Sequence, residues 1–168
     1  VSGGATTVMT TAATTLSITQ ANGTAYSVSL AANTTLSGVR DAINSQLQSA
    51  GISANLVTDS SGASRLVLSS TTTGENTGLS VSGIDALAID GSQAGSSSSA
   101  GYLGSLPQDA KYSIDGLDEM TSSSNSLTTA VSGVTITLAG KGTTTITVGS
   151  STDDMKTSVT TFVSAYNA

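Results

Sequence analysis

Residues 132–167 read SGVTITLAGKGTTTITVGSSTDDMKTSVTTFVSAYN, and this stretch contains two different apolar periods. In its first half, apolar residues alternate with polar ones, mostly threonine, on both sides of a glycine pair at positions 140 and 142. The alternating apolar residues are Val134, Ile136, Leu138, Ile146 and Val148. A period of two around a glycine-containing turn predicts a β-hairpin with one apolar face.

After Gly149 the apolar period changes to that of an α-helix. The residues at offsets of 0, 4, 7, 8 and 11 form one stripe, namely Met155, Val159, Phe162, Val163 and Tyr166. We predict that this stripe is the packing seam of a helical leg that pairs with another long helix. The alternative is that it packs on its own hairpin. Ser151 and Asp154 predict a capping box, and the lack of a stop signal after Asn167 predicts that the helix continues further.

The first half of the chain predicts a second hairpin followed by a second amphipathic helix. Asn22-Gly23 is a strong hairpin turn signal between Leu16–Ile18 and Tyr26–Leu30. Between Thr35 and Ala50, a helical stripe consists of Leu36, Val39, Ile43 and Leu47. Gly51 is then expected to be the C-cap of this helix.

Further strands and a domain boundary are predicted beyond this helix. Ile52–Leu56 and Leu66–Leu68 flank a turn at residues 59–62, and Leu79 with Val81 begins another strand. The sequence GSQAGSSSSAG at 91–101 has the composition of a flexible linker. We predict a lead-in strand or frayed end at 1–14, a first domain at 15–100, a second domain at 101–148 and the start of a helix at 149–168; the family resemblance given below implies that these are an outer head domain, an inner head domain and a helical leg. The fold class is α+β, predominantly β: two small β-rich head domains, short amphipathic helices and a C-terminal stalk helix.

The composition excludes several classes of protein. The chain of 168 residues has a net charge of −6, and its five cations are scattered, so it lacks the basic stripe that nucleic acid binding requires. No apolar run approaches the length of a membrane span. No charged and apolar leader precedes the chain, so we expect export without a cleaved signal peptide, or a leader already removed. Cysteine and histidine are both absent, which removes thiol chemistry and the commonest general base.

The candidate catalytic and metal sites in the sequence fit the known motifs poorly. Gly140–Thr143 lacks the spacing of a phosphate-binding loop and is better interpreted as a turn. Neither Asp115 with Asp118 and Glu119 nor Asp85 with Asp90 offers the dense oxygen ligands of a calcium loop. Adjacent carboxylates, as at 118–119 and 153–154, do not face each other across a cleft as a glycosidase pair does. We therefore predict no catalytic residue, no metal, no cofactor and no enzyme.

Several segments resemble known families. TLSGVRDAIN at 35–44, GISANLV at 51–57 and RLVLSSTTTGENTG at 65–78 resemble the hook-filament insert motif of bacterial flagellar axial proteins. DAKYSIDG at 109–116, NSLTTAVSGVTITL at 125–138 and FVSAYN at 162–167 resemble the bacterial flagellar filament cap proteins, the type 2 hook-associated proteins of the FliD family. Together these matches extend over most of residues 15–168.

The resemblance implies a structural protein located outside the cell, at the tip of the flagellum. Such proteins cap the growing filament as a homo-oligomeric ring, with β-rich heads as a plate and helical legs, and promote flagellin folding and insertion. The implied partners are further copies of the chain, flagellin, hook-filament junction proteins and an export chaperone, with no nucleic acid or membrane. Two alternatives are a flagellin or hook-filament junction protein, and a threonine-rich surface adhesin or carbohydrate-binding module.

Overall fold

The computed structural model describes residues 3–96, 99–147, 149 and 152–167. The chain divides into two compact units, Val1–Leu138 and Ala139–Ala168, which are considered separately. The strands are β1 Thr14–Gln20, β2 Ala25–Leu30, β3 Ile52–Thr58, β4 Ser64–Ser70, β5 Leu79–Ser82, β6 Ala110–Ile114, β7 Leu117–Ser122, β8 Ser126–Val131 and β9 Val134–Thr137. The α-helices are α1 Leu36–Leu47 and α2 Asp153–Tyr166, and short 3-10 turns occupy Gln48–Ala50 and Asp85–Leu87.

The hairpin predicted across Asn22-Gly23 is present as β1–β2 and belongs to a three-stranded antiparallel sheet of order β2-β1-β5. Asn22-Gly23 forms its turn, in which Gly23 has a φ of 91° and the Asn22 side chain accepts a hydrogen bond from the Thr24 N–H at 2.9 Å. The alternating Leu16, Ile18, Val28 and Leu30 are all buried. The period-two pattern therefore predicted both the pairing and the buried face.

The helix predicted between Thr35 and Ala50 is present as α1, Leu36–Leu47, followed by the 3-10 turn Gln48–Ala50. The Thr35 side chain caps its N-terminus by accepting a hydrogen bond from the Gly38 N–H at 3.2 Å. The stripe predicted from the sequence is buried in full: Leu36, Val39, Ile43 and Leu47. The 3-10 turn then closes at Gly51, whose φ of 74° is the left-handed conformation expected of a C-cap glycine.

The second hairpin, β3–β4, completes the core. The strands pair from Ile52 opposite Ser70 to Thr58 opposite Ser64, across the turn predicted at residues 59–62. The main cluster of buried apolar residues combines α1, both hairpins and β5: Leu16, Ile18, Val28, Leu30, Leu36, Val39, Ile43, Leu47, Ile52, Ala54, Val81 and Leu87. All of these buried side chains are aliphatic, and the aromatic ring of Tyr26 packs against them as a partly buried residue.

The serine-rich stretch at 91–101 takes part in hydrogen bonding. Tyr102 donates its backbone N–H to the Gln93 carbonyl at 2.8 Å, and its own carbonyl accepts from the Gly95 N–H at 2.8 Å. The Arg65 guanidinium donates to the Ser96 carbonyl at 2.8 Å. The composition of this stretch suggested a flexible linker, but its described residues are tied to both flanking segments. The domain boundary at this place stays a prediction.

Two separate hairpins, β6–β7 and β8–β9, form the second block. Asp115 and Gly116 turn the first of them, with φ values of 51° and 79°, as the Asp-Gly signal predicts. In the other, Leu127 opposes Ile136 and Val131 opposes Val134, so Ser132-Gly133 is the turn and Gly133 has a φ of 77°. Leu127 is buried.

The hairpin predicted across Gly140–Gly142 is wrong. Strand β9 pairs with β8 on its N-terminal side, and residues 139–147 contain no strand; Val148 lies outside the described residues. A tight hairpin turn needs a residue with positive φ. Gly133 has this conformation, whereas neither Gly140 nor Gly142 is among the positive-φ residues of the described chain.

Helix α2 begins at Asp153, and its N-cap is Thr152. The predicted capping box rests on Ser151, which lies outside the described residues, so it stays a prediction; the Thr152 side chain makes no capping hydrogen bond. Asp153 and Asp154 do occupy the first turn, where negative charge favours the helix dipole. No residue of this helix is buried.

Candidate assembly surface

The apolar stripe of α2 is exposed. The exposed fractions are 70% for Met155, 56% for Val159, 70% for Phe162, 47% for Val163 and 83% for Tyr166. Isolated exposed apolar residues are ordinary on protein surfaces, but a contiguous row of five large ones on one helix face is typical of an interaction surface.

The spacing within the stripe is that of a coiled-coil seam. Met155, Val159, Phe162 and Tyr166 follow each other at steps of 4, 3 and 4 residues, which matches alternating d and a positions of a heptad. Val163 lies beside this row and widens it. Side chains at such positions pack into the holes of a facing helix, so the arrangement suits pairing with another helix better than contact with a flat sheet.

The opposite face of α2 is polar and internally satisfied. Thr157 donates its hydroxyl to the Asp153 carbonyl at 2.9 Å, and Thr161 does the same to Thr157 at 2.9 Å. Thr160 donates to the Lys156 carbonyl at 2.8 Å. These hydroxyls bond back along their own helix, a pattern that slightly weakens helices. This face is therefore a solvated surface, and the apolar stripe is the side available for packing.

Local interactions give α2 little stability of its own. It has 14 residues, several of them β-branched, and isolated helices of this length are marginal in water. Its described ion pair, Lys156 with Asp153 at 4.0 Å, joins two largely exposed side chains and contributes little. Since helices gain most of their stability from packing an apolar face, α2 has the properties of a helix stabilised by a partner.

Asp90, one of the carboxylates considered as a possible site, and Asp59 both stabilise turns. Asp59 Oδ1 accepts hydrogen bonds from the Ser61 hydroxyl at 2.6 Å, the Ser61 N–H at 2.9 Å and the Ala63 N–H at 3.1 Å. The Ser61 hydrogen bonds lower the pKa of Asp59, and Ser92 in the same way lowers the pKa of Asp90. A lowered pKa keeps these groups ionised and favours a structural role over acid–base chemistry. Among residues 3–96, 99–147, 149 and 152–167, no three acidic side chains are grouped so as to hold a metal ion.

Neither described α-helix has the length and hydropathy of a membrane-spanning segment.

Two amide side chains of α1 that were not predicted from the sequence bind strand backbones. Asn44 donates Nδ2–H to the Ala54 carbonyl at 2.9 Å and accepts from the Ala54 N–H at 2.7 Å. Gln46 accepts from the Ser29 N–H at 2.9 Å and donates Nε2–H to the Ser29 carbonyl at 3.1 Å. The available signal was a polar amide on each flank of the apolar stripe of the helix.

Comparison with known proteins supports both resemblances. Residues 15–72 match the family model of the flagellin hook IN motif, and residues 107–168 match that of the flagellar hook-associated protein 2 C-terminus. The chain is also 35% identical to crystallised FliD (HAP2) from Pseudomonas aeruginosa PAO1. That alignment covers 93% of this chain and 75% of the FliD chain, with a TM-score of 0.73. This chain belongs to the FliD family.

Other members of the FliD family agree with this assignment. The crystal structure of the Escherichia coli flagellar cap protein FliD, domains D1-D2-D3, is 30% identical with a TM-score of 0.74; the match covers 98% of this chain and 56% of that one. The B-type flagellar hook-associated protein 2 of P. aeruginosa is 38% identical over 155 residues, which are 80% of this chain and 31% of that protein. The A-type protein of the same species is 35% identical over 94% of this chain and 37% of its own length. The chain thus spans about a third of the length of these curated relatives.

These findings confirm two predictions from the sequence. The resemblance to filament cap proteins is confirmed by the family model and by the FliD structures. The fold class is confirmed as α+β, predominantly β, with short helices and a C-terminal helix at Asp153–Tyr166. The assignment of the α2 stripe to a packing seam stays a prediction.

Proposed function

We propose that this chain is the head portion and the start of a leg of a flagellar filament cap protein. In the whole protein it forms a homo-oligomeric ring at the tip of the growing filament and promotes folding and insertion of flagellin. The observation that carries the proposal is the match of residues 107–168 to the C-terminal family model of hook-associated protein 2. The exposed apolar seam on α2 supports it, because large apolar side chains suit packing against another protein surface better than they suit catalysis.

The parts of the chain then have separate roles. Residues 15–100 are the outer head domain, residues 101–148 belong to the inner head domain, and residues 149–168 begin the leg. In the leg, Met155, Val159, Phe162, Val163 and Tyr166 form the packing seam against a helix from the rest of the assembly. A helix that lacks buried residues and has a heptad row gains its stability in this way.

The partners of the whole protein are further copies of itself, flagellin, hook-filament junction proteins and an export chaperone. It works outside the cell, at the flagellar tip, and is exported without a cleaved signal peptide. The head suits transient contacts because aromatic residues, which dominate strong interface hot spots, make up only 3% of the chain. Weak, polar contacts are appropriate for a plate that must release each inserted subunit.

A flagellin or junction protein has less support than a cap. The hook IN motif at 15–72 is compatible with several flagellar axial proteins, but the model matched by residues 107–168 belongs to hook-associated protein 2. No feature of the described residues favours a surface adhesin or a carbohydrate-binding module over a filament cap.

The test uses the full-length protein in a bacterium whose own FliD gene is deleted. Phe162→Asp places a charge in the seam, whereas Ser164→Asp places the same charge on the opposite side of the same helix. We expect the wild type and Ser164→Asp to restore swimming and Phe162→Asp to leave the cells non-motile, with flagellin lost into the medium. Electron microscopy of the purified wild-type protein should show a plate with radiating legs.

Two outcomes would contradict different parts of the proposal. If the wild-type protein forms no ring and fails to restore swimming, the cap function is wrong. If it does both and Phe162→Asp performs equally well, the cap function stands and the seam is wrong.

A further inference from the structure

Two strands next to helix α1 lie at the edges of their sheets. Among the strands that the structure describes, β2 has β1 as its single neighbour, and β3 has β4. An edge strand presents a row of backbone N–H and C=O groups that can pair with a strand of another molecule. These two edges are therefore two of the places where the part of the chain from β1 to β5 could take up a further strand.

Each edge is occupied at one position by a side-chain amide. Both backbone groups of Ser29 bind Gln46, so this residue directs its N–H and C=O away from β1. By the alternation of an antiparallel ladder, Ala25 and Ser27 direct theirs to the same side. On β3, Ala54 binds Asn44 in the same paired manner.

The paired geometry is that of a strand partner. A carboxamide offers one donor and one acceptor in a plane, as a peptide group does. Asn44 and Gln46 are two residues apart, about 200° around the helix, so they leave α1 on opposite flanks. Between them the apolar stripe of the helix packs on the core. One helix thereby reaches two edges with two residues.

Helix α1 lies beside both strands, but the means of edge protection that belong to a strand itself are missing here. Natural edge strands are commonly protected by charged side chains, proline or a bulge. β2 reads AYSVSL and β3 reads ISANLVT, so neither contains a charged residue or proline, and both pair in an unbroken register. The charged fraction of the whole chain is only 10%, which makes the usual protection scarce.

We propose that Asn44 and Gln46 are edge guards that prevent strand-to-strand association of the head with further copies of this chain. Each amide occupies the backbone groups of one outward position and leaves too short a free edge for another strand to pair stably. The inference does not depend on the flagellar role, since it concerns the two edges alone. In a protein that works as closely packed copies, such guards keep contacts between heads from becoming continuous sheets.

The first experiment compares Gln46→Ala with Gln48→Ala in the 168-residue chain by sedimentation. Gln48 is an exposed glutamine two positions further on, beyond the end of α1. We expect Gln46→Ala to self-associate about tenfold more strongly than the wild type, the change that two recovered backbone hydrogen bonds of ordinary net strength produce. Gln48→Ala should match the wild type. Asn44→Ala tests the β3 edge in the same way.

A rescue variant distinguishes association through the β2 edge from association caused by partial unfolding. Ser29→Pro removes the N–H that Gln46→Ala sets free, and that N–H takes no part in pairing with β1. We expect Gln46→Ala/Ser29→Pro to return to the association of the wild type. The proposal is overturned if Gln46→Ala remains as monomeric as Gln48→Ala, if the proline does not reverse the association, or if Gln46→Ala unfolds, because the amide would then hold the fold and not the edge.

Discussion

Asp109 accepts a hydrogen bond from the backbone N–H of Glu75 at 2.7 Å, which joins two residues on either side of the serine-rich stretch. Beside it, the Thr73 hydroxyl donates to the Ser123 carbonyl at 2.6 Å. The loop at 71–78 is thus bound to residues that flank the β6–β7 hairpin. This contact connects the loop that follows β4 with the two ends of the β6–β7 hairpin.

The first prediction concerns Gly74, which lies within this contact. Its φ is +99°, and a Cβ at this position would lie 2.6 Å from the Ser123 Cβ and 2.8 Å from Asp109 Oδ1. Gly62 has a similar φ of +85° with no neighbouring atom within 4 Å among the described residues. Gly74→Ala should therefore lower the free energy of unfolding by about 1–3 kcal/mol more than Gly62→Ala, because overpacking adds to backbone strain. Equal losses in urea unfolding would show that the contact is loose.

The second prediction concerns the core. Ile43 is fully buried in the cluster between α1 and the sheets. Ile43→Ala should reduce the free energy of unfolding by about 2–5 kcal/mol, the usual cost of a cavity. Ile146 is 54% exposed, so Ile146→Ala should change it by no more than about 0.5 kcal/mol. Comparable losses in thermal or urea unfolding would mean that Ile146 packs as a core residue.

The elements β1, β2 and α1 could be predicted from the sequence because the signals for their turns, caps and buried faces are local. In α1, one stripe gives both the helix and its buried face, and Thr35 and Gly51 mark its ends. In β1 and β2, the Asn-Gly turn fixes the register, and the alternation then fixes which side is buried. Each element agrees with its neighbours, so local and tertiary preferences coincide.

The second block could not be predicted as well because two turn signals compete. Ser132-Gly133 precedes the apolar alternation at 134–138 and Gly140–Gly142 follows it, so the local pattern does not choose between them. The structure pairs β9 with β8, across Gly133, and buries Leu127 opposite Ile136. Serine and threonine surround Leu127, so β8 has no clear alternating pattern of its own. The amides Asn44 and Gln46 have no periodic signal at all, since their role depends on strands that approach from elsewhere in the chain.

The third prediction concerns pH. Hydrogen bonds from Ser61 lower the pKa of Asp59 below its ordinary value of 3.8. The ionised form is thus favoured in the folded state, and its contribution to stability is present above pH 3.8 and lost as the pH falls through the folded-state pKa. NMR titration should show that Ser61→Ala raises the pKa of Asp59 toward 3.8. Ser92→Ala should leave Asp59 unchanged and raise the pKa of Asp90 instead, because Ser92 is the partner of Asp90. If the pKa of Asp59 is the same in Ser61→Ala as in the wild type, the Ser61 hydroxyl does not lower it and the prediction is wrong.

The fourth prediction follows from the exposure of α2, whose helical state depends on local propensity because none of its residues is buried. Thr157→Ala and Thr160→Ala replace poor helix formers on the polar face, each with a gain of about 0.5 kcal/mol in helix propensity, so amide exchange in α2 of the isolated chain should slow. Ser45→Ala is the matched control in α1, where packing already holds the helix and amide exchange should follow global unfolding. If the threonine variants leave amide exchange in α2 unchanged, the helix is already held by packing and does not require a partner along its apolar stripe.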